Sequence, residues 1–213
     1  MAFKFSWYGG AAWNTTPRHA RVTRQQRDNP GMALEYTTSC LADSLEWFRA
    51  YKSLGEKAMA QLSDDQLLAT LDPEMNSVAI IVKHMAGNMR SRWTGFPDAD
   101  GESAARDRDD EFRNPPATRA ELLELWNDGW SRVFQALDPL TDADLTRAVV
   151  IRTEKHSVMQ AMHRQMGHYA YHVGQIVFLA KHLRRADWKT LSIPRGQSAE
   201  FNRRVARGEA SQR

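Results

Sequence analysis

Two of the chain's seven histidines stand four apart in the run His168-Tyr169-Ala170-Tyr171-His172. On an α-helix, residues at i and i+4 lie one turn apart on the same face, so both imidazoles can reach a single ion. The pair sits on the apolar side of its segment, among Gln165 and Ile176. A third histidine, His84, follows Ile81 by three residues in another periodic segment and so shares that segment's inward face. Facing helices of a bundle are a common place to build a metal site. Three neutral imidazole nitrogens completed by water suit Zn²⁺, Ni²⁺ or Fe²⁺. Spacing alone leaves a second reading open, in which these are ordinary core or surface histidines. The remaining four invite no such chemistry. His19 lies in the leading segment, His156 precedes a helix and His163 falls off the His168/His172 face. His182 lies near a helix C-terminus, where partial positive charge is favoured.

The elements that must position these side chains follow from hydrophobic periodicity. Leu34, Leu41, Leu45, Phe48 and Ala58 predict a first helix from about Leu34 to Gln61, followed by a loop with Asp72-Pro73. Asn76 or Ser77 can cap a second helix with the stripe Val78, Ile81, Met85 and Met89, ending near Trp93 before Gly95 and Pro97. Residues 98–117 alternate acids and bases and read as a solvated polar loop. Thr118 to Glu121 has the spacing of a capping box and opens a third helix with Leu122, Leu125, Trp126, Gly129, Val133 and Leu137 buried. Thr141 to Asp144 suggests one further helical turn, and Val149, Val150 and Ile151 a short extended piece within 147–153. The fourth helix runs from Ser157 to about Arg185, with Val158, Met162, Gln165, Tyr169, His172, Ile176 and Leu183 inward. Four long amphipathic helices with short or polar connections predict an all-α fold, an antiparallel four-helix bundle with a long polar loop between the second and third helices.

Composition bounds the function. At 213 residues, 42% hydrophobic and 26% charged, the chain suits one globular domain. No stretch approaches the apolar length of a membrane span, and no apolar signal segment opens the chain. A single cysteine, Cys40, can make no internal disulfide, so a cytoplasmic protein is expected. The net charge of +3 is unevenly spread: residues 1–31 hold five basic residues against one acid, the remainder 24 against 25. A nucleic-acid footprint belongs on the folded surface, so neither nucleic acid nor membrane is an expected partner. Residues 1–31 are aperiodic and broken by Gly9-Gly10, Pro17 and Pro30-Gly31. They read as a disordered extension or a mis-assigned start ahead of Met32, with the domain at 32–202 and a flexible tail at 203–213.

The run Asn76 to Asn88, centred on Ile80-Ile81-Val82-Lys83-His84-Met85, resembles the second helix of the DinB-like superfamily, and His168 to Ile176 resembles its fourth-helix signature. The likeness extends through Ser91-Arg92-Trp93, Asp107-Arg108-Asp109, Trp126, Gly129-Trp130 and Leu191 to Gly196. This spread is similar to a branch of unknown function related to the bacillithiol-transferase-like proteins, over about Met32 to Asn202. The resemblance implies a four-helix bundle of DinB-like topology, a homodimer, and a divalent metal held by His84, His168 and His172. Several such relatives are metal-dependent thiol S-transferases using bacillithiol, mycothiol or glutathione.

Two functions therefore compete. The first is transfer of a low-molecular-weight thiol to a small electrophile, the metal lowering the thiol pKa. The second is a non-catalytic metal-binding or stress-response dimer. No second catalytic residue stands out. Cys40 reads as a small buried side chain rather than a nucleophile. Arg90 and Arg92 can meet an anionic substrate, with a solvated or salt-bridged role as the alternative. Gln175 can orient a histidine or a bound water, or be a plain surface or core amide. Gly174 reads as a point where a neighbouring helix comes close.

Overall fold

Four hydroxyl side chains decide where the long helices begin. The first amides of a helix have no intrahelical partner, and a serine or threonine oxygen can accept from one of them. Ser39 does this for α1 (Cys40–Met59) and Ser77 for α3 (Val78–Trp93). Thr118 serves α4 (Arg119–Leu137) and Ser157 serves α5 (Val158–Arg184). At Ser157 the box is reciprocal, because Gln160 Oε1 accepts from the Ser157 amide at 2.9 Å. At Thr118 it is not: Glu121 reaches one residue further back and accepts from the Ala117 amide at 2.8 Å. The computed structural model describes residues 36–99, 101 and 106–211. Leu34, His19 and the expected Met32 start lie outside them.

The chain is mostly helical, with one small two-stranded sheet among the described residues. Two short helices were not anticipated, α2 (Asp64–Leu68) and α6 (Ser198–Ala206). α2 is too short to show a period, and α6 buries none of its residues although Phe201 and Val205 stand one turn apart. α6 also runs past residue 203, where a flexible tail was expected to begin. The extended piece is a hairpin, β1 (Ala148–Ile151) antiparallel to β2 (Glu154–Ser157), with Val149 opposite His156. Its turn residues Arg152 and Thr153 have φ of 51° and 70°, the left-handed geometry of a tight hairpin. The expected turn after Thr141 is a 3₁₀ turn over Asp142–Thr146.

α3 packs along α4 and α1 along α5, and contacts between α3 and α5 join the two pairs. One aromatic cluster takes a ring from each long helix. Phe48 of α1 lies 6.3 Å from Trp93 of α3, 6.4 Å from Trp130 of α4 and 6.0 Å from Tyr169 of α5, between ring centroids. Such rings bury large areas and add tilted contacts worth about 0.5–1.5 kcal/mol per pair. Two of the buried polar tips are paired, with Trp93 Nε1 donating to Tyr169 Oη at 2.8 Å and that hydroxyl donating to Asn88 Oδ1 at 3.1 Å, whereas Trp130 Nε1 has no hydrogen-bond partner. α3 and α4 approach closely at Gly129, where a Cβ would meet Met89 Sδ at 2.8 Å and Ala86 Cα at 3.2 Å. Gly174 differs from its expected role, since a Cβ there would meet nothing within 4 Å. It lies on the outward face of α5, near exposed Tyr171 and Phe178.

Candidate metal centre

α3 is buried almost all round, so its polar residues need internal partners. For His84 that partner comes from the loop between α3 and α4. His84 Nδ1 stands 2.9 Å from Glu111 Oε2, with the two side chains only 6% and 7% exposed. Arg106 closes on the other side of the carboxylate, Nε donating to Oε1 at 2.7 Å and Nη2 to Oε2 at 3.0 Å. The neighbouring Lys83 fastens the same loop, donating to Asp110 Oδ2 at 2.6 Å and to the Asp110 carbonyl at 2.8 Å. The expectation that this loop is a solvated charge run is therefore corrected. A buried imidazole draws Glu111 inward while Lys83 pairs with half-exposed Asp110, which alternation of charge cannot reveal.

From α5, His168 and His172 meet His84. His84 Nε2 is 3.4 Å from His168 Nε2, and His172 Nε2 is 3.1 Å from His168 Nε2. One ligand atom from each of the three lies within 4.8 Å of the others, so the group could hold a metal ion. At a tetrahedral Zn²⁺ with Zn–N near 2.0–2.1 Å, neighbouring nitrogens stand about 3.3 Å apart. The observed separations fit that edge.

Counting protons gives a second test of the fit. Glu111 is an acceptor when ionised, so His84 must donate from Nδ1 and present a bare lone pair at Nε2. Gln175 Oε1 is 2.8 Å from His172 Nδ1, while the Gln175 amide nitrogen donates to Tyr171 Oη at 3.0 Å. His172 therefore also donates from Nδ1 and presents a lone pair. Both lone pairs aim at His168 Nε2, which can supply one proton at most. A divalent cation satisfies all three nitrogens together. His168 Nδ1 is buried with no hydrogen-bond partner.

The electrostatics of His168 and His172 favour their neutral, ligating forms. Burial, reinforced by His172 and His84, pushes His168 down to about 3. Burial also lowers His172, against an opposing hydrogen bond to Gln175 and with help from His84. Burial pushes Glu111 up, but the hydrogen bonds from His84 and Arg106 outweigh it and hold the carboxyl below its ordinary range.

Other residues singled out in the sequence fall elsewhere. Arg90 pairs with Asp128 at 3.2 Å, and Arg92 is buried, donating to the Gly101 carbonyl at 2.9 Å. Cys40 is half-buried rather than buried, and its Sγ lies 3.7 Å from His163 Nε2. His156 and His182 lie apart from the cluster: His156 Nδ1 is 3.1 Å from the Glu154 carbonyl, and His182 is exposed. Reasoning from sequence missed Glu111 and Arg106 altogether. The only local signal was Gly87, one turn on from His84, where a Cβ would lie 2.2 Å from Glu111 Oε1.

Fold and site together define a helical protein with a tri-histidine cluster set between α3 and α5. The chain belongs to the family described as Protein of unknown function (DUF1572), whose model matches residues 35–197. No curated protein matches it. No solved structure matches it either.

Proposed function

We propose that this is a metal-binding protein of DinB-like, four-helix-bundle kind in which His84, His168 and His172 hold one divalent ion, Zn²⁺, Ni²⁺ or Fe²⁺. The observation carrying the reading is the convergence of three Nε2 atoms whose protons are already committed elsewhere on two of the rings. The ion would supply Lewis acidity that lowers the pKa of a bound thiol or water. On this reading the protein is a thiol S-transferase that moves a low-molecular-weight thiol of bacillithiol, mycothiol or glutathione type to an electrophile. The histidines then act as ligands and not as bases, Gln175 orients His172, and half-buried His168 and His172 leave the approach to the ion on their side.

A second reading is a non-catalytic metal-binding or stress-response dimer, in which the ion is structural. A small cavity lined by Arg92, Trp93, Gly101, Val149 and Gln165, among others, has none of the three histidines in its lining. The homodimer itself rests on the family resemblance, and sedimentation of the purified protein measures it. The helices of the described residues are not long and apolar enough to cross a membrane. We place the protein in the cytoplasm on its lone cysteine.

Elemental analysis of purified protein, followed by a thiol panel with monochlorobimane, separates the readings. Metal at one equivalent with transfer supports the enzyme. Metal without transfer for any thiol supports the second reading. Absence of metal in the protein, together with failure to take up Zn²⁺, Ni²⁺ or Fe²⁺, defeats both.

A further inference from the structure

Among the described residues, Glu111 is an acid buried next to a ligand candidate without offering itself to the cluster: His84, His168 and His172 form the group of facing donors, and Glu111 is outside it. Its carboxylate instead spans two partners, the His84 ring at 2.9 Å and the Arg106 guanidinium at 2.7 and 3.0 Å. Arg106 is itself largely buried. The space for this carboxylate is made by Gly87, since any side chain there would collide with Glu111 at 2.2 Å from Oε1 and 2.7 Å from Cδ. Phe112, the next residue, stacks on the His84 ring with centroids 4.7 Å apart. The ring is thus gripped at its edge and on its face by two consecutive loop residues. A charge-assisted hydrogen bond of this kind fixes which ring nitrogen keeps its proton, and the fixed tautomer leaves the other nitrogen free to ligate.

We propose that Glu111, braced by Arg106 and admitted by the bare backbone of Gly87, is a positioning residue for the metal centre, holding His84 in the Nδ1–H tautomer with its Nε2 lone pair on the shared axis. The inference rests on the three-histidine reading and adds to it that the α3–α4 loop is part of the site. It acts through His84, so its effect must vanish when His84 is absent.

The test uses the full chain. Zn²⁺ affinity is measured by competition with a chromophoric chelator for wild type, Glu111→Ala, Glu111→Gln, Gly87→Ala, His84→Ala, His168→Ala, His172→Ala and the double variant His84→Ala/Glu111→Ala. In parallel, ¹⁵N NMR of the metal-free protein reads the His84 tautomer. Glu111→Ala and Gly87→Ala are expected to weaken Zn²⁺ by about 10–100-fold, and to move His84 away from the Nδ1–H form. Glu111→Gln keeps an acceptor oxygen and is expected to retain more affinity than Glu111→Ala. Near-UV circular dichroism reports whether each variant folds, and Glu111→Gln carries the comparison if Glu111→Ala does not. Adding Glu111→Ala to His84→Ala should cost nothing further. An additional loss in that background would overturn the proposal, because Glu111 would then be a ligand or a general structural support. Wild-type affinity and tautomer in both Glu111 variants would overturn it as well. Failure of the metal reading looks different: His84→Ala, His168→Ala and His172→Ala would all bind Zn²⁺ like wild type, while the NMR arm still reports on the Glu111–His84 contact.

Discussion

A hydrogen bond to a histidine's second nitrogen fixes which nitrogen is free to ligate, and here the three rings differ. His84 leans on a carboxylate, His172 on an amide, and the His168 Nδ1 has no hydrogen-bond partner. Loss of any one ring removes a third of the donor set, so His168→Ala is expected to abolish tight metal binding in elemental analysis, and thiol transfer with it. Cys40 tests the opposite case. Its Sγ lies 3.7 Å from Nε2 of His163, on a different part of α5 from His168 and His172. Cys40→Ser should leave metal content unchanged and transfer largely intact, because the reactive sulfur comes from the small thiol. A dead Cys40→Ser protein that still holds metal would require a nucleophile from the chain.

At the scale of elements, two glycines on long helices make opposite predictions. Gly129 on α4 faces Met89 Sδ at 2.8 Å and the Ala86 backbone at 3.2 Å, so Gly129→Ala forces α3 and α4 apart. Overpacking of this kind costs about 1–3 kcal/mol. Gly174 on α5 faces open space, so Gly174→Ala collects the helix-propensity difference, a gain of about 0.8–1 kcal/mol. Chemical denaturation of the two variants side by side checks the signs, and a stabilised Gly129→Ala would refute the close approach. The hairpin offers a third case. Thr153 is β-branched and sits at φ 70°, where L-residues pay roughly 1–2 kcal/mol. Thr153→Gly is expected to raise stability by up to about that amount, read as an upward shift of the denaturation midpoint.

For the whole molecule, a ligand that binds only the folded state stabilises it by mass action. Zn²⁺ at a hundredfold its dissociation constant should add about 2.7 kcal/mol, and chelation should remove it. A melting curve indifferent to Zn²⁺ and to chelator would place the ion outside the fold's energetics. Residues 1–31 are aperiodic, basic and broken by Gly9-Gly10, Pro17 and Pro30-Gly31, and the family match begins at residue 35. We therefore expect deletion of residues 1–31 to leave the melting temperature nearly unchanged. A loss of several degrees would show that this segment is part of the folded domain.

Much of this was legible in one dimension. Helical period marked α1, α3, α4 and α5, because each must bury one face, and Ser77, Thr118 and Ser157 marked three of their starts, because free amides need an acceptor. The i, i+4 histidines were legible for the same geometric reason, and His84 by its phase with Ile81. The hairpin was half seen: β1 is apolar, but β2 reads Glu-Lys-His-Ser and its turn is Arg-Thr rather than Asn-Gly, so neither strand pairing nor turn left its usual mark. Tertiary structure alone decided that Gly174 faces open space while Gly129 touches α3. It also decided that Arg106 and Glu111 leave the solvent to grip His84. A charged residue shows its type in the sequence but not its partner. That choice depends on which groups long-range packing has already taken out of water.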